Sequence, residues 1–152
     1  MKEIRNKTIA IIGGGPAGSY LGYCLAKNGF HPMIFDDSHP REKPCGGGIS
    51  SLAIEQFPIL HNIPVPKASD NTMKFISTQG FEVTTSSDKE SWAVSRRVMD
   101  KYLLDKAVET GCKHVKQHVI DVEKHENSWK IKTRQDEYRA KIIIGEIGRA
   151  HV

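Results

Sequence analysis

The run Thr8-Ile9-Ala10-Ile11-Ile12, followed at once by Gly13-Gly14-Gly15-Pro16-Ala17-Gly18, constrains this chain more than any other stretch. The first five residues are continuous, apolar and rich in β-branched side chains, which suits a strand buried in a parallel sheet. The next six fit G-x-G-x-x-G at Gly13, Gly15 and Gly18. From Ala17 to Lys27, Leu21, Cys24 and Leu25 share one helical face, and Asn28-Gly29 supplies a left-handed stop. Pro32 to Phe35 reads as a second strand closing at Asp36-Asp37. Strand, helix and strand within about 30 residues make a βαβ unit.

The spacing assigns each residue a task. Gly13 permits a tight turn, Gly15 lets backbone approach a pyrophosphate, and Gly18 lets helix and strand pack closely. The helix start at Pro16 and Ala17 offers unpaired N–H groups and partial positive charge to phosphate oxygens. Asp36 stands 23 positions after Gly13, where the acid that accepts ribose hydroxyls is expected about 20 positions on. Asp37, one step later, points to another face. An ordinary tight turn would need neither the helix nor the acid, so the pattern predicts a dinucleotide site.

Composition narrows the classes. The chain has 152 residues, 38% hydrophobic and 26% charged, which fits a globular domain rather than a disordered one. Its net charge is +4, but the cations are spread from Lys2 to Arg149 among acidic residues, a solvated surface rather than a nucleic-acid face. The three cysteines, Cys24, Cys45 and Cys112, form no disulfide framework and fit a reducing cytosol. The basic start and the apolar Ile9 to Ile12 are too short for a signal peptide. A cytoplasmic location is expected, with peripheral membrane contact left open. Cys112, His114 and His118 lack a second ligand pair, so no metal site is predicted.

Farther on, Ser50 or Ser51 can cap a short helix ending before Pro58. Asn62 to Asp70 reads as a connection, Met73 to Thr78 and Phe81 to Thr85 as a hairpin around Gln79-Gly80, and Trp92 to Val94 as a further strand. A helix is expected from Arg96 to Thr110, with strands over Val115 to Val122, Trp129 to Thr133 and Arg139 to Ile144. The predicted fold class is α/β: a Rossmann-like domain with a parallel sheet plus an antiparallel hairpin or meander.

Lys43-Pro44-Cys45-Gly46-Gly47-Gly48-Ile49-Ser50 resembles the K-x-C-G-G-G-[IL]-S segment of the geranylgeranyl reductase family. These FAD enzymes have the p-hydroxybenzoate-hydroxylase-like fold and saturate isoprenoid double bonds. Arg96, Met99, Asp100, Leu103 and Ala107 resemble that group's R-x-x-[FM]-D-x-x-L-x-x-x-A pattern, and the resemblance spans residues 8 to 145. It implies FAD as cofactor, a prenyl-lipid substrate, and NADPH, NADH or ferredoxin as electron donor. By the same resemblance, Arg96 reaches the FAD, where its fork suits phosphate, with Arg97 next in register; Arg41, just before the loop, is a second cation candidate. Cys45, Gly46, Gly47 and Gly48 lie beside the flavin ring, where three glycines leave backbone bare. A mobile hinge is the other reading of that loop. No catalytic acid can be named.

The family continues from its Ile-Ile-Gly strand into Ala-Asp-Gly, whose aspartate contacts the ribityl chain. Here Gly145 leads into Glu146-Ile147-Gly148-Arg149-Ala150-His151-Val152, as encoded by GAG ATC GGA AGA GCA CAC GTC, which resembles a widely used sequencing-adapter read. The expectation is therefore a truncated FAD-binding domain over 1–145, with 62–94 as a strand-rich excursion and 146–152 as a non-native tail. Such a piece alone is expected to hold little FAD. Three alternatives stay open: an FAD monooxygenase or halogenase of the same fold, a non-catalytic prenyl-binding protein, and a plain NAD-binding domain.

Overall fold

The computed structural model describes residues 8–64 and 67–146; the basic start over 1–7 and the tail over 147–152 lie outside them. The chain divides into two compact units, one built from residues up to Arg41 and from Asp100 onward, the other from Glu42–Met99.

The first unit is organised by a parallel sheet. Its strands are β1 (Ile9–Ile12), β2 (Met33–Phe35), β6 (Lys113–Val115) and β10 (Ile142–Gly145), in the order β10-β1-β2-β6. The helix α1 (Pro16–Lys27) connects β1 to β2, so the predicted βαβ unit is present. Side chains alternate across β1, and the alternation separates two cores. Ile11 and Ile34 pack with Ala26 of α1 and with Leu104 and Ala107 of α3 (Arg96–Thr110), which belongs to this unit from Asp100 onward. Ala10 and Phe35 pack on the opposite face with Val115, Ile131 and Ala140. That second core is closed by an antiparallel meander of β7 (Val119–His125), β8 (Ser128–Thr133) and β9 (Glu137–Ala140). Ile11, Ile34 and Leu104 are each essentially inaccessible, and burying such a side chain is worth about 1.5–3 kcal/mol.

Two expected strands each prove to be two. Val115 to Val122 is interrupted at Lys116–His118, where the Gln117 N–H turns back to the Val115 carbonyl at 2.8 Å. The chain thereby leaves the parallel sheet and enters the meander. Arg139 to Ile144 is likewise divided at Lys141: β9 pairs antiparallel with β8, whereas β10 pairs parallel with β1. A local pattern marks a segment as strand-like, not which sheet it joins.

The second unit contains β3 (Gly48–Ile49), α2 (Ser51–Gln56), a 3₁₀ turn (Pro58–Asn62), and the long hairpin β4 (Ala68–Ile76) and β5 (Glu82–Ala93). Ser50 caps α2, its hydroxyl accepting from the Ala53 N–H at 3.2 Å. Trp92 to Val94 is not a separate strand: Trp92 and Ala93 end β5, where they pair with β3 and β4. The hairpin extends beyond the expected residues because its ladder runs through polar positions, with a register shift between Asp70 and Thr72. Among the described residues no helix is long and apolar enough to cross a membrane.

Candidate dinucleotide site

The glycine turn stands where the sequence places it, between β1 and α1. Gly13 has φ 105°, in the region that only glycine enters readily, and its N–H donates to the Phe35 carbonyl at 2.9 Å. Gly15 is the N-cap of α1, extended and without a side-chain cap, and Pro16 opens the helix where its missing N–H costs nothing. A Cβ at Gly18 would lie 2.1 Å from the Gly13 carbonyl oxygen, so only glycine permits this closeness of helix and turn. The buried Ser19 hydroxyl donates to the Gly14 carbonyl at 2.7 Å and ties the first helical turn to the loop.

Asp36 follows β2 and is almost fully buried. Its Oδ2 accepts the Gly14 N–H at 2.7 Å, while Oδ1 accepts the Ser38 N–H at 2.7 Å and the Ser38 hydroxyl at 2.5 Å. Burial pushes the Asp36 carboxyl upward, but the Ser38 hydroxyl, the Gly14 and Ser38 N–H groups and nearby His39 outweigh it and hold the pKa below the ordinary value. The His114 ring donates through Nε2 to the Asp36 carbonyl at 2.7 Å, fixing the backbone at the same point. His39 is buried beside this carboxylate, Nε2 standing 3.6 Å from Oδ2, and neither ring nitrogen has a hydrogen-bond partner. Burial lowers its pKa, opposed by Asp36 and reinforced by Arg41, with Asp100 and the Gly14 backbone pulling upward.

A cleft of about 380 Å³ opens here, with Gly13, Asp36, Asp37, Ser38, Arg41 and Glu146 in its wall. The structure therefore brings together Gly13, Asp36, Asp37 and Arg41 of the residues the sequence singled out. Asp37 shares the cleft with Asp36 rather than pointing away, and its carboxylate lies 3.5 Å from His118 Nδ1. Cys112 belongs to the helix-side core, where burial pushes its thiol up to about 11.

Arg96 and the Cys45 to Gly48 loop belong to the second unit. Cys45 is exposed. The three glycines differ in what they do. A Cβ at Gly47, where φ is 67°, would lie 1.9 Å from the Val94 carbonyl oxygen, whereas Gly46 and Gly48 face open space. Gly47 is thus required by its own unit's packing.

Sequence reasoning passed over Ser38 and His39, weighed His114 only as a metal ligand, and placed Glu146 in the expected tail. Ser38 was findable, since an aspartate commonly binds the N–H two residues on. His39 stands three residues from Asp36 and meets it locally, whereas His114 and Glu146 reach the site through the sheet.

A family model described as NAD(P)-binding Rossmann-like domain matches residues 11–41. A digeranylgeranylglycerophospholipid reductase of Methanocaldococcus jannaschii is 31% identical over 158 residues, covering 97% of this chain and 40% of the relative. A chloroplastic geranylgeranyl diphosphate reductase of Nicotiana tabacum is 34% identical over 111 residues, covering 70% and 24%. The chain spans two fifths or less of the length of these relatives. Among solved structures, the halogenase PltM in complex with phloroglucinol and FAD matches with a TM-score of 0.77 at 17% identity, over 95% of this chain and 35% of that one. That likeness shows the fold alone. With the glycine turn and Asp36 in place, the chain carries a Rossmann-like dinucleotide-binding domain and is similar to these geranylgeranyl-type reductases over two fifths or less of their length.

Proposed function

We propose that this chain is the N-terminal FAD-binding part of a flavin-dependent reductase that saturates isoprenoid, geranylgeranyl-type double bonds. The carrying observation is a bare-backbone turn aligned on a buried acid, in a chain whose relatives are named geranylgeranyl reductases. The turn fits a dinucleotide, because side chains are missing where phosphate oxygens would need backbone N–H groups. When bound, FAD supplies the hydride chemistry.

The protein's own residues bind and orient. Gly13 to Gly18 and the start of α1 direct N–H groups at the pyrophosphate. Asp36 accepts a ribose hydroxyl in exchange for the Ser38 hydroxyl, and Arg41 places positive charge on the same wall. Arg96 is assigned to phosphate, and Cys45 to Gly48 to the ring, by the family resemblance. Residues 1–145, with the strand-rich stretch 62–94, are read as the N-terminal portion of that domain. The substrate is a prenyl lipid, reached by peripheral membrane contact from the cytoplasm, and NADPH, NADH or ferredoxin is the reductant.

Two experiments test this reading. In the holoenzyme that contains this chain, FAD affinity should be lost in Gly15→Val while the circular dichroism spectrum is kept; retained affinity would place the phosphates elsewhere. In the holoenzyme that contains this chain, anaerobic mixing of the reduced form with a geranylgeranyl lipid should reoxidise the flavin and yield saturated chains. Slow anaerobic reoxidation with fast oxygen-dependent turnover of an aromatic substrate would reassign the protein to the monooxygenases.

A further inference from the structure

We propose that His39 is a positioning residue for the dinucleotide ribose: uncharged, it leaves Asp36 free for ribose hydroxyls, and charged, it takes that carboxylate for itself. The inference rests on the dinucleotide reading of the glycine turn and Asp36, and concerns what sets the affinity there. An ionised carboxylate offers about four acceptor positions. On Oδ1 of Asp36 both are taken, by the Ser38 N–H and hydroxyl; on Oδ2 one is taken, by the Gly14 N–H. A ribose diol needs one position on each oxygen, so it displaces the Ser38 hydroxyl and uses the open position on Oδ2. His39 Nε2 stands 3.6 Å from that same Oδ2, too far for a hydrogen bond. A shift of about 1 Å brings it to the distance of a charge-assisted bond.

The ring is held where only a change of charge engages it. Its side chain is 1% exposed, and neither ring nitrogen has a hydrogen-bond partner. Buried polar groups are rarely left in that condition. The groups that face it come from three places: Asp36 and Arg41 from the loop after β2, Asp100 from α3, and the Gly14 backbone from the turn. Burial, reinforced by Arg41, outweighs the pull of Asp36, Asp100 and the Gly14 backbone, so the pKa lies below the ordinary 6.5. Once protonated, the ring pairs with Asp36, and ribose loses its place on Oδ2. Affinity is therefore full where His39 is neutral and falls with the neutral fraction as pH drops through the folded pKa.

The test uses the holoenzyme that contains this chain, with FAD affinity read from flavin fluorescence between about pH 5 and 8 and the fold checked by circular dichroism. Wild-type affinity should be level at the upper end and fall below pH 6.5, by at most about ten-fold per unit, the slope of one proton. His39→Gln, which cannot take a charge, should give a flat profile over the same range. His114→Gln and His118→Gln, which remove the histidines beside Asp36 and Asp37, should keep the wild-type slope. Calorimetry of FAD rebinding to the deflavinated wild type, in two buffers of different ionisation enthalpy, reads the same event without a variant. At the acid end a proton should be released. A flat wild-type profile, a slope that survives in His39→Gln, a slope lost in His114→Gln or His118→Gln, or no proton release overturns the proposal. Asp36→Asn separates this from the site itself: it should weaken FAD binding at every pH and flatten the profile. Weakened binding that keeps the slope overturns the role of His39 alone. Unchanged affinity means that ribose is not held at Asp36, and both readings fall.

Discussion

Asp36 keeps its charge in a nearly dry position because three donors from two residues converge on it. Removing an acceptor leaves buried donors unsatisfied, at about 1–3 kcal/mol. Asp36→Asn, whose amide turns a donor toward those groups, should lower Tm by several degrees. The pH dependence follows from the depressed pKa. Because the folded value lies below the ordinary 3.8, the stabilisation is present above that pH and fades as pH falls through the folded value. Urea unfolding of both proteins should show the gap in full at neutral pH and a narrower gap below pH 3.8; a constant gap would mean that the ionised carboxylate is not what the donors hold. His39 works in the same direction. Its lowered pKa means that the unfolded state binds the proton more readily, so acidification below 6.5 costs stability at this residue too. Thiol chemistry offers a separate check on the residues. Cys45 is exposed, whereas Cys112 is buried with its thiol pushed up to about 11 and so has little thiolate at neutral pH. A disulfide reagent should label Cys45 in the native protein and Cys112 only on unfolding. Equal native rates would contradict the helix-side core.

At the scale of elements, the closeness of α1 to the sheet depends on two glycines that fail differently when filled. A Cβ at Gly18 meets backbone at 2.1 Å, which cannot yield without moving the turn. A Cβ at Gly22 meets Ile34 Cδ1 at 2.7 Å and Cys112 Sγ at 3.1 Å, and the end of an isoleucine side chain can rotate. Overpacking of the second kind costs about 1–3 kcal/mol. Gly18→Ala should therefore destabilise more than Gly22→Ala and also weaken dinucleotide binding; the reverse order in thermal melts would contradict the packing described. The same contrast explains what could be read beforehand. The βαβ unit was legible because its signals are local: an apolar run, a glycine turn, a 3.6-residue period and an acid at a set offset. The glycines and Asp36 were legible for the same reason. The divisions at Lys116–His118 and at Lys141 were not, because they depend on which sheet accepts each half of the segment. The length of β5 was hidden by Ser86, Ser87, Asp88 and Lys89, whose strand propensity is low; the ladder pairs Ser86 with Thr72 and resumes at Ser91 opposite Asp70, past the register shift. Glu146 carries no local signal of its place beside the turn, which the pairing of β10 with β1 sets.

At the scale of the whole molecule, one surface gathers several exposed apolar side chains. Met73 and Phe75 of β4 lie on one face of the hairpin with Val83, which pairs with Phe75; all three are exposed, as is Phe81 at the turn. β4 is also an edge of its sheet, nine residues long. A long edge strand beside exposed apolar side chains is a template for pairing with other chains, and natural edges are commonly blunted by charge. The opposite face already carries such a device in the Lys74–Glu82 ion pair at 2.8 Å, but the apolar face has none of its own. The chain in solution should therefore self-associate with rising concentration, and Phe75→Lys should suppress this. Because Phe75 is more than half exposed, the substitution should change folding stability by only about 0.5 kcal/mol. Sedimentation velocity across a concentration series, paired with thermal melts of both proteins, checks each half. A wild-type chain that stays monomeric throughout, or a Phe75→Lys chain that associates equally, would show that this hairpin does not govern the chain's behaviour in solution.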